Sequence, residues 1–119
     1  MVSPMKRKLF LLCTASLLLE ACVSTPVKNY AWGSYETQVY NGYSKPEKAT
    51  PQIQIDVLEK EVAQAGLKKM PIAPGVYAHI GYQYLLLGNK AKALEYFSLE
   101  KQNFPESSVY IDFLVKKIA

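Results

Sequence analysis

Apolar positions along this chain change rhythm several times, and each change marks a different element. Residues 9–19 form a largely apolar run with no charge among them. Between Tyr30 and Tyr43, five aromatics (Tyr30, Trp32, Tyr35, Tyr40, Tyr43) follow neither helical nor strand spacing. Gly33, Gly42, Ser44 and Pro46 interrupt them, so residues 30–50 are expected to be extended. Thr50-Pro51 then reads as an N-cap followed by proline at the first helical position. Ile55, Leu58, Val62 and Ala65 recur at helical spacing as far as Gly66, which predicts a helix over 51–65 with Gly66 as its stop. Asp56 and Lys60 would pair across one turn on its outer side. Pro71 and Pro74 stiffen the connection from Leu67 to Gly75, and Val109, Phe113, Leu114 and Ile118 predict a last helix over 108–118.

The stretch from Pro74 to Pro105 carries the most specific pattern. Tyr77, Ile80, Gly81, Tyr84, Gly88, Ala93, Phe97 and Pro105 stand at the spacings of one tetratricopeptide unit, which the stretch resembles. Each position has a mechanical reason. Gly81 and Ala93 allow close approach of two helices, Phe97 fills the space between them, Gly88 turns the chain with Asn89 as a cap, and Pro105 ends the second helix. Glu100 departs from the pattern, which prefers alanine there. Either the packing is loose at that point or the glutamate faces outward. Repeat arrays bury a continuous core only with about three units, and one is visible here. The fold expected is therefore all-α. A tetratricopeptide-like hairpin within 51–119 has one flanking helix on each side and an extended aromatic segment before it.

The leading apolar run belongs to a different story. Lys6, Arg7 and Lys8 precede it and Glu20-Ala21-Cys22 follows, the layout of a secretory signal. An apolar stretch of 11 residues is too short to span a bilayer, which takes about 20. Leu19-Glu20-Ala21-Cys22 resembles the bacterial lipobox, with Leu19 and Ala21 where the pattern wants an aliphatic and a small residue. Glu20 stands where a small or apolar residue is usual. Cys13 lies inside the apolar run with Leu12 before it and fits the pattern poorly. The expectation is a signal over 1–21, lipid attachment at Cys22, and a tether over 22–29. A plain cleaved signal or an uncleaved anchor is the alternative. Val23 is not the aspartate that retains such proteins in the inner membrane of enteric bacteria, so the resemblance implies the periplasmic face of the outer membrane.

Processing at Cys22 revises the chemistry that the whole chain suggests. Cys13 leaves with the signal and the Cys22 thiol carries lipid, so no disulfide is expected in the remaining 98 of 119 residues. The discarded segment holds three of the 14 basic residues and one of the 10 acidic ones, which lowers the net charge from +4 to +2. No Lys/Arg stripe remains for nucleic acid. His79 and Cys22 cannot make a zinc site by themselves. Mid-helix among Tyr77, Ile80 and Tyr84, His79 reads as a partly buried or surface residue and not as part of a catalytic triad. Glu59, Glu61, Glu95 and Glu100 sit near lysines and read as solvated faces. No phosphate-binding glycine loop or dinucleotide fingerprint is present. Neither an enzyme nor a cofactor is expected.

Binding remains. By the tetratricopeptide resemblance, Ala78, Tyr82, Leu85 and Leu86 line the concave face. That surface either accepts a partner's helix or extended segment, or is covered by neighbouring parts of the chain. The aromatic stretch has two readings as well: rings packed on the helices behind, or an exposed patch around Trp32 and Tyr35 that meets a partner or the membrane interface.

The order of features resembles an uncharacterised family of small bacterial lipoproteins, a domain of unknown function. The residues that carry this are the lipobox, Tyr30-Ala31-Trp32-Gly33-Ser34-Tyr35, Pro74-Gly75-Val76-Tyr77-Ala78-His79-Ile80-Gly81 and Phe104-Pro105-Glu106-Ser107. Members tend to be encoded beside a lipoprotein like the curli secretion channel protein CsgG. The resemblance implies a non-enzymatic adaptor or assembly factor for a CsgG-like envelope complex. A pilotin-like chaperone of a pore subunit and a structural envelope spacer are the alternatives.

Overall fold

The computed structural model describes residues 3–8 and 29–118. The apolar run 9–19, Cys22 and most of the tether lie outside the described residues. From Tyr35 to Ile118 the chain is helical and no strand forms, in agreement with the all-α expectation. The elements are α1 (Tyr35–Ser44), α2 (Pro51–Leu67), α3 (Val76–Leu86), α4 (Lys90–Asn103), a 3-10 turn (Pro105–Ser107) and α5 (Ser108–Ile118).

The hairpin of α3 and α4 forms as its pattern requires. A Cβ at Gly81 would lie 2.8 Å from the Phe97 ring and 3.1 Å from the Ala93 carbonyl oxygen, so only glycine lets the two helices meet at this distance. Asn89 caps α4 by accepting from Lys92 N (3.1 Å), and Thr50 caps α2 by accepting from Ile53 N (3.3 Å). Two apolar clusters flank α3. Leu58 from α2 joins Ala73, Val76 and Ile80 on one side. On the other side Ala93 and Phe97 of α4 meet Ile111 and Ile118 of α5. The last helix thus covers the far side of the hairpin, the place its apolar spacing assigned to it.

Residues 30–50 depart from the extended conformation expected of them, because Tyr35–Ser44 is a helix. Gly42 explains the discrepancy. A Cβ there would lie 3.1 Å from the Gln54 amide nitrogen, so this glycine marks close approach to α2 where its sequence context suggests a break. The entry to α1 is held from outside: Ser34 N–H donates to Glu61 Oε2 (2.9 Å), and Glu36 in the first turn complements the helix dipole. Just upstream, Ala31 makes a parallel bridge with Ile72, as its N–H donates to Pro71 O (2.7 Å) and its carbonyl accepts from Ala73 N (3.3 Å). The segment is therefore docked against the α2–α3 connection.

Two smaller expectations are corrected on α2. The helix continues through Gly66 to Leu67, and Lys69, at φ 53°, makes the left-handed turn that ends it. Asp56 does not pair with Lys60; its Oδ1 accepts from the Gln52 amide one turn earlier (2.8 Å).

The largest correction concerns Glu100. It is neither loosely packed nor outward facing but 3% exposed. Its Oε1 accepts from Gly75 N (2.8 Å) and its Oε2 from Ala78 N (3.2 Å). A buried carboxylate on α4 therefore caps the first turn of α3, where free N–H groups and the positive end of the dipole favour an anion. Glu100→Ala, the residue the repeat pattern prefers, should destabilise the fold by about 1–3 kcal/mol because two amide donors lose their acceptor. Gly81→Ala should cost a similar amount, about 1–3 kcal/mol, through overpacking against Phe97. Urea unfolding at unchanged slope checks both.

Candidate functional site

The outer face of α3 carries two adjoining cavities. One, of about 500 Å³, lies between α1, the start of α2 and α3. The other, of about 410 Å³, continues from α3 towards α5. They share Tyr35, Tyr43, His79 and Tyr82, so together they form one groove across the protein. Tyr110 and Leu114 of α5 bound one end, and Leu86 lies at the other.

Of the residues assigned to binding by sequence, Tyr35, Tyr82 and Leu86 come together here. Tyr82 is 46% exposed and Leu86 55%, so the concave face is open at both. Leu85 is not part of it: its side chain packs on the cluster between α4 and α5. Trp32 stacks on Tyr35 (centroids 6.3 Å, planes 25° apart) but lines a separate cavity of about 300 Å³ between the bridge segment and α2. The two readings of the aromatic stretch divide between its members. Tyr30 and Tyr35 pack onto the core, Tyr30 edge-on against Phe104, whereas Trp32, Tyr40 and Tyr43 are exposed.

Sequence reasoning missed Tyr43 and Tyr110 as partners of Tyr82. Both stand on faces whose direction depends on how α1 and α5 dock, and no local spacing reports that.

Beneath the groove lies a polar chain. Gln54 Nε2 donates to Ala49 O (2.7 Å), which leaves Gln54 Oε1 as an acceptor. His79 Nε2 lies 2.7 Å from that oxygen and must carry the proton. Gln83, one turn along α3, places its amide nitrogen 3.3 Å from the same nitrogen, which as a donor to Gln54 does not accept from it. Burial pushes the His79 imidazole below its usual range, so the ring is neutral at neutral pH. Tyr35 meets its ring edge-on at 5.5 Å. The residues of this floor are thus polar and uncharged, with Gln54 bonded to both Ala49 and His79.

The carboxylates expected on solvated faces are mostly structural. Glu61 holds Ser34 and Glu100 holds α3. Glu59 Oε1 accepts from both the Tyr84 hydroxyl (2.6 Å) and the Tyr96 hydroxyl (2.7 Å). Sharing one oxygen brings the two rings into a stack 5.7 Å apart. Glu95 alone keeps the expected surface role, paired with Lys92 at 2.9 Å. Among the described residues, no three His, Cys, Asp or Glu gather closely enough to hold a metal ion.

A family model, Domain of unknown function (DUF4810), matches residues 29–114. The chain belongs to this family. The DUF4810 match takes in the bridge segment, α1 and the hairpin together, which agrees with their packing as one unit. No curated protein and no solved structure matches the chain. The groove of this DUF4810 protein must be interpreted from its own residues.

The Glu59 cluster yields a measurable signature. Its hydrogen bond to Glu59, with some burial, pushes the Tyr84 phenol up to about 12, and Tyr96 is raised as well, chiefly by burial. Both are protonated in the fold beyond the ordinary tyrosine range. Their stabilisation is therefore complete below about pH 10 and is lost as pH rises through the folded-state value. Burial also raises the Tyr35 and Tyr77 phenols, so absorbance at 295 nm should show four of the nine tyrosines titrating late, Tyr84 and Tyr96 among them, and Glu59→Gln should return Tyr84 towards 10.

Proposed function

We propose that this protein is a non-enzymatic lipoprotein of the bacterial outer membrane. It faces the periplasm and serves as an adaptor or assembly factor for an envelope protein complex of the CsgG-like kind. The observation that supports the reading is the open groove at Tyr82 and Leu86. A unit with a single hairpin has little apolar surface to leave exposed, yet these two side chains remain half exposed on the face that tetratricopeptide units use for partners.

Attachment rests on Leu19-Glu20-Ala21-Cys22. No helix among the described residues is long and apolar enough to cross a membrane. Two or three acyl chains at Cys22, at about 0.8 kcal/mol per buried methylene, would hold the protein at the bilayer. A short tether would let the groove reach a neighbour on the same surface.

Two experiments test the reading. Cys22→Ser should move the protein from the membrane fraction to the soluble periplasm and abolish palmitate labelling; labelling that persists refutes the lipid assignment. Crosslinking and pull-down from native membranes should recover one stoichiometric envelope protein. Tyr82→Glu should remove that capture with helicity intact by circular dichroism, and wild-type protein that recovers no partner overturns the adaptor role.

A further inference from the structure

The groove's chemistry is selective in a way that narrows its occupant. Among the described residues, not one Lys, Arg, Asp or Glu lines either of its two cavities. Four tyrosines line them instead: Tyr35, Tyr43, Tyr82 and Tyr110. Tyr84 and Tyr96, on the other side of α3, donate their hydroxyls to Glu59. None of the hydrogen bonds among the described residues uses the hydroxyls of the four groove tyrosines. The groove therefore offers phenol hydroxyls and ring faces, while in its floor the Gln54 amide bonds to Ala49 and the His79 ring to Gln54.

We infer that the groove binds an uncharged, proline-rich segment of the partner protein in polyproline II conformation. This rests on the adaptor reading above. Such a segment has its carbonyls unpaired and available as acceptors, and each proline lacks an N–H. It is the acceptor-rich, donor-poor ligand that a row of unpaired phenols complements. Its pyrrolidine rings stack on aromatic faces, and its extended form is set before binding, so little ordering entropy is lost.

Other occupants fit less well. A glycan's dense hydroxyls need many donors and acceptors at once, and apart from the phenols the described lining supplies few polar side chains. An amphipathic helix has its backbone satisfied internally and seeks an apolar trough, and here it would bury phenols and the edge of the His79–Gln54 pair without partners. A strand-like peptide needs a sheet edge, and no strand forms among the described residues. A charged segment would be desolvated against a lining that holds no counter-charge.

The test is fluorescence anisotropy with the full chain in detergent and a labelled, end-blocked dodecapeptide of four Pro-Pro-Ala repeats. Chitotetraose and an uncharged amphipathic helical peptide serve as competitors. Saturable binding is expected, changing by less than about twofold between 0.1 and 1 M salt because no ion pair is involved. Tyr82→Phe should weaken it several-fold through the lost donor, and Tyr43→Ala tenfold or more. Tyr40→Ala, on α1 but outside the cavities, should leave it unchanged.

Circular dichroism confirms that each variant is folded. Absence of saturable binding overturns the inference, as does binding insensitive to Tyr43 and Tyr82. Displacement from the groove by chitotetraose or the helical peptide at lower concentration than unlabelled proline peptide also overturns it. The two readings fail separately. A membrane partner lost on Tyr82→Glu, without proline-peptide binding, refutes the ligand class and leaves the adaptor role. Proline-peptide binding with no membrane partner refutes the adaptor role.

Discussion

The architecture depends on a carboxylate that the helical repeat pattern does not call for. Glu100, buried on α4, reaches across the hairpin and accepts from two backbone amides in the first turn of α3. A helix start without such an acceptor leaves amide donors unsatisfied in a part-buried place. α3 is also the element on which everything else is arranged: α2 packs on one flank, α4 and α5 on the other, and the groove occupies its outer face. Fixing where α3 begins therefore sets the register of both apolar clusters and of the groove tyrosines. An isolated hairpin lacks neighbouring repeats to determine that register, and a buried charged hydrogen bond supplies directional information that apolar packing does not.

Carboxylates perform the same task elsewhere. Glu61 holds the backbone at Ser34, where α1 starts, and Glu59 brings together two tyrosines from different helices. In each case the acid residue contacts a part of the chain at least 25 positions away. A small fold with two modest apolar clusters gains from such cross-links, because each one specifies a single arrangement.

Local signals proved legible and long-range ones did not. Thr50, Asn89, Gly81 and the apolar spacing of the last helix each involve partners within one hairpin or one turn, and the helices stand where these residues indicate. Glu59, Glu61 and Glu100 appear in sequence as acid residues near lysines, indistinguishable from a solvated face, because their acceptor roles depend on donors brought close only by folding. Helix α1 was hidden for the same reason, since Gly42 resembles a helix breaker until the Gln54 amide is seen against it. Tyr82 and Leu86 could be assigned to the groove because their direction follows from helical spacing on α3. Leu85, one position before Leu86, points into the α4–α5 cluster, and only the docking of α5 decides that.

Contact between Gly42 and the Gln54 amide ties two distant positions into one thermodynamic unit. Gln54 is anchored by Ala49 on one side and His79 on the other, so it has no freedom to withdraw from a larger neighbour. A side chain at 42 and a shorter one at 54 are each unfavourable alone, the first by collision and the second by stranding the imidazole. Together the two changes relieve each other in part, and their energies do not add. The wall of the groove and its floor are therefore free to drift only in concert.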